Sequence, residues 1–167
     1  LDLHNAFEHL EKISKPEKMR SELMREEGKV EIDIEGVLNP SCIIMQMKAD
    51  SKTEVINELI SALDRNDQLL DKEQVISAVM ARENSMSTGM QNGLALPHAK
   101  TNGVKKMAMA VGIKKEGVDF QSIDGLPSRI FVLILSPNYV TSSHLQLLAG
   151  IGTLLNTQEK IDALLGC

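Results

Sequence analysis

Six consecutive apolar residues, Ile130-Phe131-Val132-Leu133-Ile134-Leu135, constrain the fold of this chain more than any other feature. Side chains of a strand alternate between the two faces of its sheet, so an unbroken apolar strand must be covered on both sides and belongs in the middle of the sheet. The cover is legible nearby. Ser51 with Glu54 forms a capping box, and Val55, Ile56, Leu59, Ile60 and Leu63 then recur on one helical face. Asp71 with Gln74 repeats the device ahead of Val75, Ile76, Val79 and Met80. Ser143 with Gln146 predicts a third helix carrying Leu147, Leu148, Ile151, Leu154 and Leu155, and Asn156 with Glu159 a last one running to Leu165. Ile43–Met47 and Met107–Ile113 read as further strands. Strands interleaved with helices predict an α/β sandwich. The 167 residues suffice for one domain with a substantial core.

The first 40 residues differ from the rest. Charges dominate up to Gly28, with two short helices expected on either side of Pro16. Val30-Glu31-Ile32-Asp33-Ile34 alternates as a half-buried strand does, and Asn39-Pro40 signals a turn. The organisation expected is an extension or linker over 1–40 and a domain over 41–167. The start at Leu1 rather than Met fits a piece of a longer protein.

Composition narrows the partners. The only aromatic residues are Phe7, Phe120, Phe131 and Tyr139, and the formal net charge is −5. Nucleic-acid binding needs a positive surface and stacking platforms, so it is not expected. Cys42 and Cys167 form no metal or disulfide pattern, and Cys42, beside Ile43-Ile44, reads as a small buried hydrophobe. A reducing, cytoplasmic setting follows. No apolar run approaches the length of a membrane span.

Chemistry concentrates on histidine. His98 follows Pro97 in Gly93-Leu94-Ala95-Leu96-Pro97-His98-Ala99, where a proline fixes φ and small neighbours leave the ring accessible. The plain reading of a lone loop histidine is a satisfied hydrogen-bonding residue. His144 changes the balance. With Ser143 as N-cap it would sit at the first position of a helix, where free backbone N–H groups and the macrodipole favour an anion such as a phosphoryl group. That helix follows the carboxyl end of the apolar strand, the edge where α/β proteins place their sites. No Asp or Glu stands at ligand spacing from either histidine, so no metal site is expected. Gly89 and Gly93 lack the Lys-Ser/Thr of a nucleotide loop. His4 and His9 read as solvated surface, and Met86 and Met90 as core filling.

Thr88-Gly89-Met90-Gln91-Asn92-Gly93-Leu94-Ala95-Leu96-Pro97-His98 resembles the phosphohistidine segment of the fructose/mannitol-type enzyme IIA domains of the bacterial phosphotransferase system. Ala81-Arg82-Glu83 and Ser87-Thr88-Gly89 upstream, then Asp124-Gly125, Ser136-Pro137 and His144-Leu145-Gln146-Leu147-Leu148-Ala149 downstream, follow the same family in order and spacing. The resemblance implies a mixed β-sheet flanked by helices on both faces, a three-layer sandwich. It implies a phosphocarrier in which His98 accepts a phosphoryl group from phospho-HPr and passes it to a cysteine or histidine of an enzyme IIB partner. His144 would stabilise the group, and Arg82, Thr88 and Asn92 would bind its oxygens, with no metal or other cofactor. Gln91 departs from the family, which carries Gly or Ala there. Related domains are also fused to membrane transporters and antiporters. The resemblance therefore allows a second role, a regulatory domain that controls a partner, as the cytosolic part of a membrane protein or free in the cytoplasm.

Overall fold

A computed structural model describes residues 34–166 of the chain. The helices expected before Gly28, the strand expected over Val30–Ile34 except for Ile34 itself, and His4 and His9 lie outside those residues. In chain order the elements are α1 (Ile34–Val37), β1 (Leu38–Ile44), α2 (Lys52–Arg65), α3 (Lys72–Ser85), β2 (Leu94–Ala95), β3 (His98–Lys100), β4 (Ala108–Val118), β5 (Ser128–Ser136), α4 (Ser142–Leu154) and α5 (Gln158–Leu165).

The strands form one mixed sheet in the order β1-β4-β5-β2, with β3 also paired to β5. β4 and β5 are antiparallel, β1 runs parallel to β4, and β2 and β3 run parallel to β5. The apolar run is therefore the central strand, and its alternation divides the core in two. Phe131, Leu133 and Leu135 join Val55, Ile56, Leu59 and Ile60 of α2 and Val75 and Val79 of α3 on one face. Ile130, Val132 and Ile134 join Leu147, Ile151 and Leu154 of α4 and Ile161 and Leu164 of α5 on the other. The result is the expected three-layer sandwich. Ala95, Ala99, Ala108 and Ala110 all face α2 and α3, which lets those helices approach the sheet closely. Removing a fully buried side chain such as Leu133 costs about 2–5 kcal/mol, because little of the cavity can collapse.

Several boundaries differ from expectation. Asn39-Pro40 is not a turn but part of β1, at a register irregularity between Leu38 and Ile43. β1 is the edge strand, where a residue with no backbone N–H is tolerated. Ile34 opens α1 rather than ending a strand. Ser51 caps α2, accepting from Glu54 N at 3.2 Å, but the Glu54 carboxylate returns to Asp50 N instead of the cap residue. Asp71 caps α3 as expected. Ser143 does not cap α4: Thr141 stands at the N-cap with no side-chain cap bond. Thr157, not Asn156, caps α5 through Lys160 N. Cys42 is buried, as expected.

Candidate functional site

Thr88 to Leu96 folds back on itself as a hairpin, and its turn is set by two residues with positive φ, Asn92 at 62° and Gly93 at 83°. Left-handed conformation at both central positions is what an Asn-Gly type I′ turn requires. Met90 N donates to Leu94 O at 2.7 Å and Leu96 N to Thr88 O at 3.0 Å, closing the hairpin. The chain then runs along β5, with Leu94 opposite Ile130 and His98 opposite Ile134. The two-residue alternation that sends Ile130 and Ile134 toward α4 and α5 does the same for Leu94, Leu96 and His98. His98 thus stands at the carboxyl end of the central strand, on the face carrying α4.

His98 is half-buried, and its Nδ1 lies 2.8 Å from Leu96 O. A carbonyl can only accept, so Nδ1 carries the proton and Nε2 keeps its lone pair. Burial holds the ring's pKa below its ordinary value; the Leu96 carbonyl and Glu83 oppose the shift, and Arg82 reinforces it. His98 is therefore neutral at neutral pH, with a bare ring nitrogen.

His144, at the third position of α4, faces it across 5.7 Å between ring centroids. Its Nδ1 is 2.6 Å from Ser136 Oγ. Burial, then the charges of His98 and Lys100, push its pKa down to about 4. Lys100, two residues beyond His98 and so on the same face, donates to Thr141 Oγ1 at 2.8 Å. Thr141 provides no side-chain cap, which leaves the first N–H groups of α4 without a side-chain acceptor beside a cation and two imidazoles.

Arg82 lies in the last turn of α3, its Nη1 donating to Met86 O at 2.8 Å. Thr88 is buried, and its hydroxyl donates to Glu83 Oε2 at 2.5 Å while its backbone N–H donates to Glu83 Oε1 at 3.0 Å. Asn92 is not brought to this group. Its amide donates to Asn156 O, past the far end of α4, and its backbone N–H to Asp124. Twelve residues of helical rise separate Asn156 from His144, about 18 Å. Gln91 is exposed at the same hairpin tip, away from His98. Met86 is 68% exposed and Met90 is exposed as well, so neither fills the core.

The residues that sequence reasoning missed are Lys100, Ser136 and Glu83. Strand alternation from His98 gives Lys100; Ser136 and Glu83 depend on tertiary contacts that no local pattern encodes. Among the described residues no three His, Cys, Asp or Glu side chains are grouped to hold a metal ion.

The profile of the family described as phosphoenolpyruvate-dependent sugar phosphotransferase system, EIIA 2, matches residues 36–167. The chain belongs to this family. The EIIA domain is 35% identical over 126 residues to a fructose-specific EIIABC component of Bacillus subtilis, a match covering 75% of this chain and 20% of that protein. The chain thus spans about a fifth of that relative's length. It is 30% identical over 133 residues to a nitrogen regulatory protein of Pseudomonas aeruginosa, covering 80% of this chain and 86% of the relative. Among solved structures, the nitrogen regulatory protein IIA-Ntr of Neisseria meningitidis aligns with a TM-score of 0.74 and 30% identity, over 79% of this chain and 90% of that one. At 23% identity and a TM-score of 0.65, the mannitol enzyme IIA of Escherichia coli, solved in complex with phosphorylated enzyme IIB, shares the fold over 76% of this chain and 87% of that one.

Proposed function

We propose that this EIIA domain is a phosphocarrier: His98 Nε2 takes a phosphoryl group from phospho-HPr and delivers it to an enzyme IIB partner. The observation that carries the reading is the bond from His98 Nδ1 to Leu96 O, which leaves Nε2 bare in a ring that burial keeps neutral. A P–N bond forms at Nε2 as the donor's P–N bond breaks, and the donor imidazole keeps the electron pair. Delivery reverses the step toward a cysteine or histidine of enzyme IIB. Such transfers pass through a loose transition state, so the domain's contribution is placement and charge. Arg82, Lys100 and the uncapped N-terminus of α4 supply positive potential around the phosphoryl oxygens. His144 is neutral; with Ser136 donating to its Nδ1, its Nε2–H serves as a donor. Thr88 enters through Glu83 and not as a direct donor, and Asn92 has no part. Residues 41–167 form the body of the carrier, with β1 completing its sheet from Leu38, and the residues before it are an extension. The reading places the domain in the cytoplasm, where its phosphoryl donor would meet it. Among the described residues no helix is long and apolar enough to cross a membrane.

A regulatory role is the second reading. It is supported by one observation: nitrogen regulatory proteins are among the relatives that match over most of both lengths, beside a fructose-specific EIIA component of Haloferax volcanii. Incubation with phosphoenolpyruvate, enzyme I and HPr, followed by mapping of acid-labile phosphate, tests the phosphocarrier; label anywhere but His98, or none, sinks it. Adding enzyme IIB proteins separates the roles. Discharge of the label onto enzyme IIB supports uptake, and a persistent phosphodomain supports regulation.

A further inference from the structure

Beneath the histidines lies an ion pair with no role in the phosphoryl contacts. Glu83 is closed from solvent, its side chain 1% exposed, and both its oxygens are engaged: Lys52 Nζ reaches Oε1 at 2.8 Å, and Thr88 supplies its backbone N–H to Oε1 and its hydroxyl to Oε2. Lys52 comes from the first turn of α2 and also donates to Ser87 Oγ and Gln121 Oε1, with its ammonium 4.9 Å from the Phe120 ring centroid. Replacing a buried ion pair by apolar side chains is often neutral or stabilising, so stability alone does not explain this one.

The connections lead to His98. Glu83 holds Thr88 at two points, Thr88 O accepts Leu96 N at 3.0 Å, and Leu96 O accepts His98 Nδ1–H at 2.8 Å. Leu96 is fixed at both its amide ends, by Thr88 on one side and by the catalytic imidazole on the other. We propose that Glu83 is a positioning residue for phosphotransfer, acting through Thr88 and Leu96 to lock His98 in the tautomer that exposes Nε2. Lys52 offsets part of the Glu83 charge, so that the carboxylate holds the hairpin with less opposition to an incoming phosphoryl group. The inference rests on the phosphocarrier reading for its consequence in rate, but its structural content stands apart from it. The charged and titratable groups facing His98 are Arg82 and Glu83 of α3, Lys100 of β3 and His144 of α4.

The test compares Glu83→Gln, Thr88→Val and Thr88→Ser by two readouts. The ¹⁵N shifts of the His98 ring report its tautomer and its titration without any phosphoryl transfer; phosphorylation by phospho-HPr reports the rate. Thr88→Val is expected to convert a single Nδ1–H tautomer into a mixture and to slow phosphorylation about tenfold, one lost hydrogen bond of about 1.4 kcal/mol. Thr88→Ser, which keeps the hydroxyl, should restore both. Glu83→Gln removes the charge that raises the His98 pKa while Lys52 remains, so the titration midpoint should fall. An unchanged tautomer in Thr88→Val and an unmoved midpoint in Glu83→Gln would overturn the proposal, as would failure of Thr88→Ser to recover the tautomer. Wild-type domain that shows the Nδ1–H tautomer but accepts no phosphoryl group would instead refute the phosphocarrier reading.

Discussion

His144 joins two demands that usually conflict, since it is 4% exposed and yet belongs to a polar site. Its pKa of about 4 answers both, because a neutral imidazole can be buried and still donate one N–H. The same shift makes the fold sensitive to acid. Between about 4 and the ordinary histidine value of 6.5, the unfolded chain binds a proton that the folded chain does not, so stability rises with pH across that window and is lost as pH falls through it. His98, shifted in the same direction, adds to the trend. Denaturant titrations at pH 4.5 and pH 7 should show a loss at low pH of no more than about 3 kcal/mol from His144, and His144→Gln should flatten the profile. On the proposed function, the two histidines divide the labour of transfer. His98→Ala should eliminate phosphorylation, because it removes the nucleophile assigned to the covalent intermediate. His144→Ala keeps the acceptor and removes one donor, a loss of about 2.7–4 kcal/mol in transition-state stabilisation and a slowing of roughly 10²–10³. Rapid-quench phosphorylation of both variants, with circular dichroism to confirm folding, measures the split. Retention of label in His98→Ala would reverse the assignment.

Among elements, the Thr88–Leu96 hairpin does most to build the site, and its geometry is sensitive at two glycines. Gly93 sits at φ 83°, and a Cβ there would meet Arg129 and Pro127 at an ordinary contact distance of 3.8 Å, so Gly93→Ala costs only the left-handed backbone, about 1–2 kcal/mol. Gly89 has ordinary φ, but a Cβ there would come within 2.5 Å of Ser122 Oγ and 2.8 Å of Ser122 Cα. Gly89→Ala must displace backbone and should cost more than Gly93→Ala; thermal melts of the two variants give the order. This hairpin also marks where the sequence stopped being readable. Long periodic segments announced themselves: α2 and α3 have the caps that Ser51 and Asp71 predict, and the apolar run became the central strand because both its faces are buried. The Asn92-Gly93 turn was equally local, and its Asn-Gly pair between apolar stretches was the available signal. The cap of α4 was not legible, because Thr141, Ser142 and Ser143 are all chemically fit to cap and the chain's exit from Pro137 decides among them. The reach of His98 to His144 depended on register along β5, which no single segment specifies.

For the whole molecule, the phosphocarrier reading requires that a neutral, half-buried histidine be reached by another protein. Charge does not provide a general answer, since the chain's net charge is −5 while Arg82 acts on His98 and Lys100 on His144 as neighbouring cations. Exposed apolar side chains offer a better one. Met86, 68% exposed, follows α3 and lends its carbonyl to Arg82; Leu145, 60% exposed, follows His144 on α4. Both stand next to a residue of the site, and neither contributes to either half of the core. Exposed Met and Leu beside a reactive group suit a docking rim that must accept more than one partner, as a carrier between a donor and an acceptor does. Met86→Glu and Leu145→Glu should therefore leave the melting temperature near wild type. They should raise KM for phospho-HPr about tenfold, the cost of losing one moderately important contact at an interface. A small phosphoryl donor such as phosphoramidate needs no docking surface, and its rate with either variant should match wild type. Steady-state kinetics with the two donors separate these effects: equal loss with both would place Met86 and Leu145 in the chemistry, and loss with HPr alone would place them at its entrance.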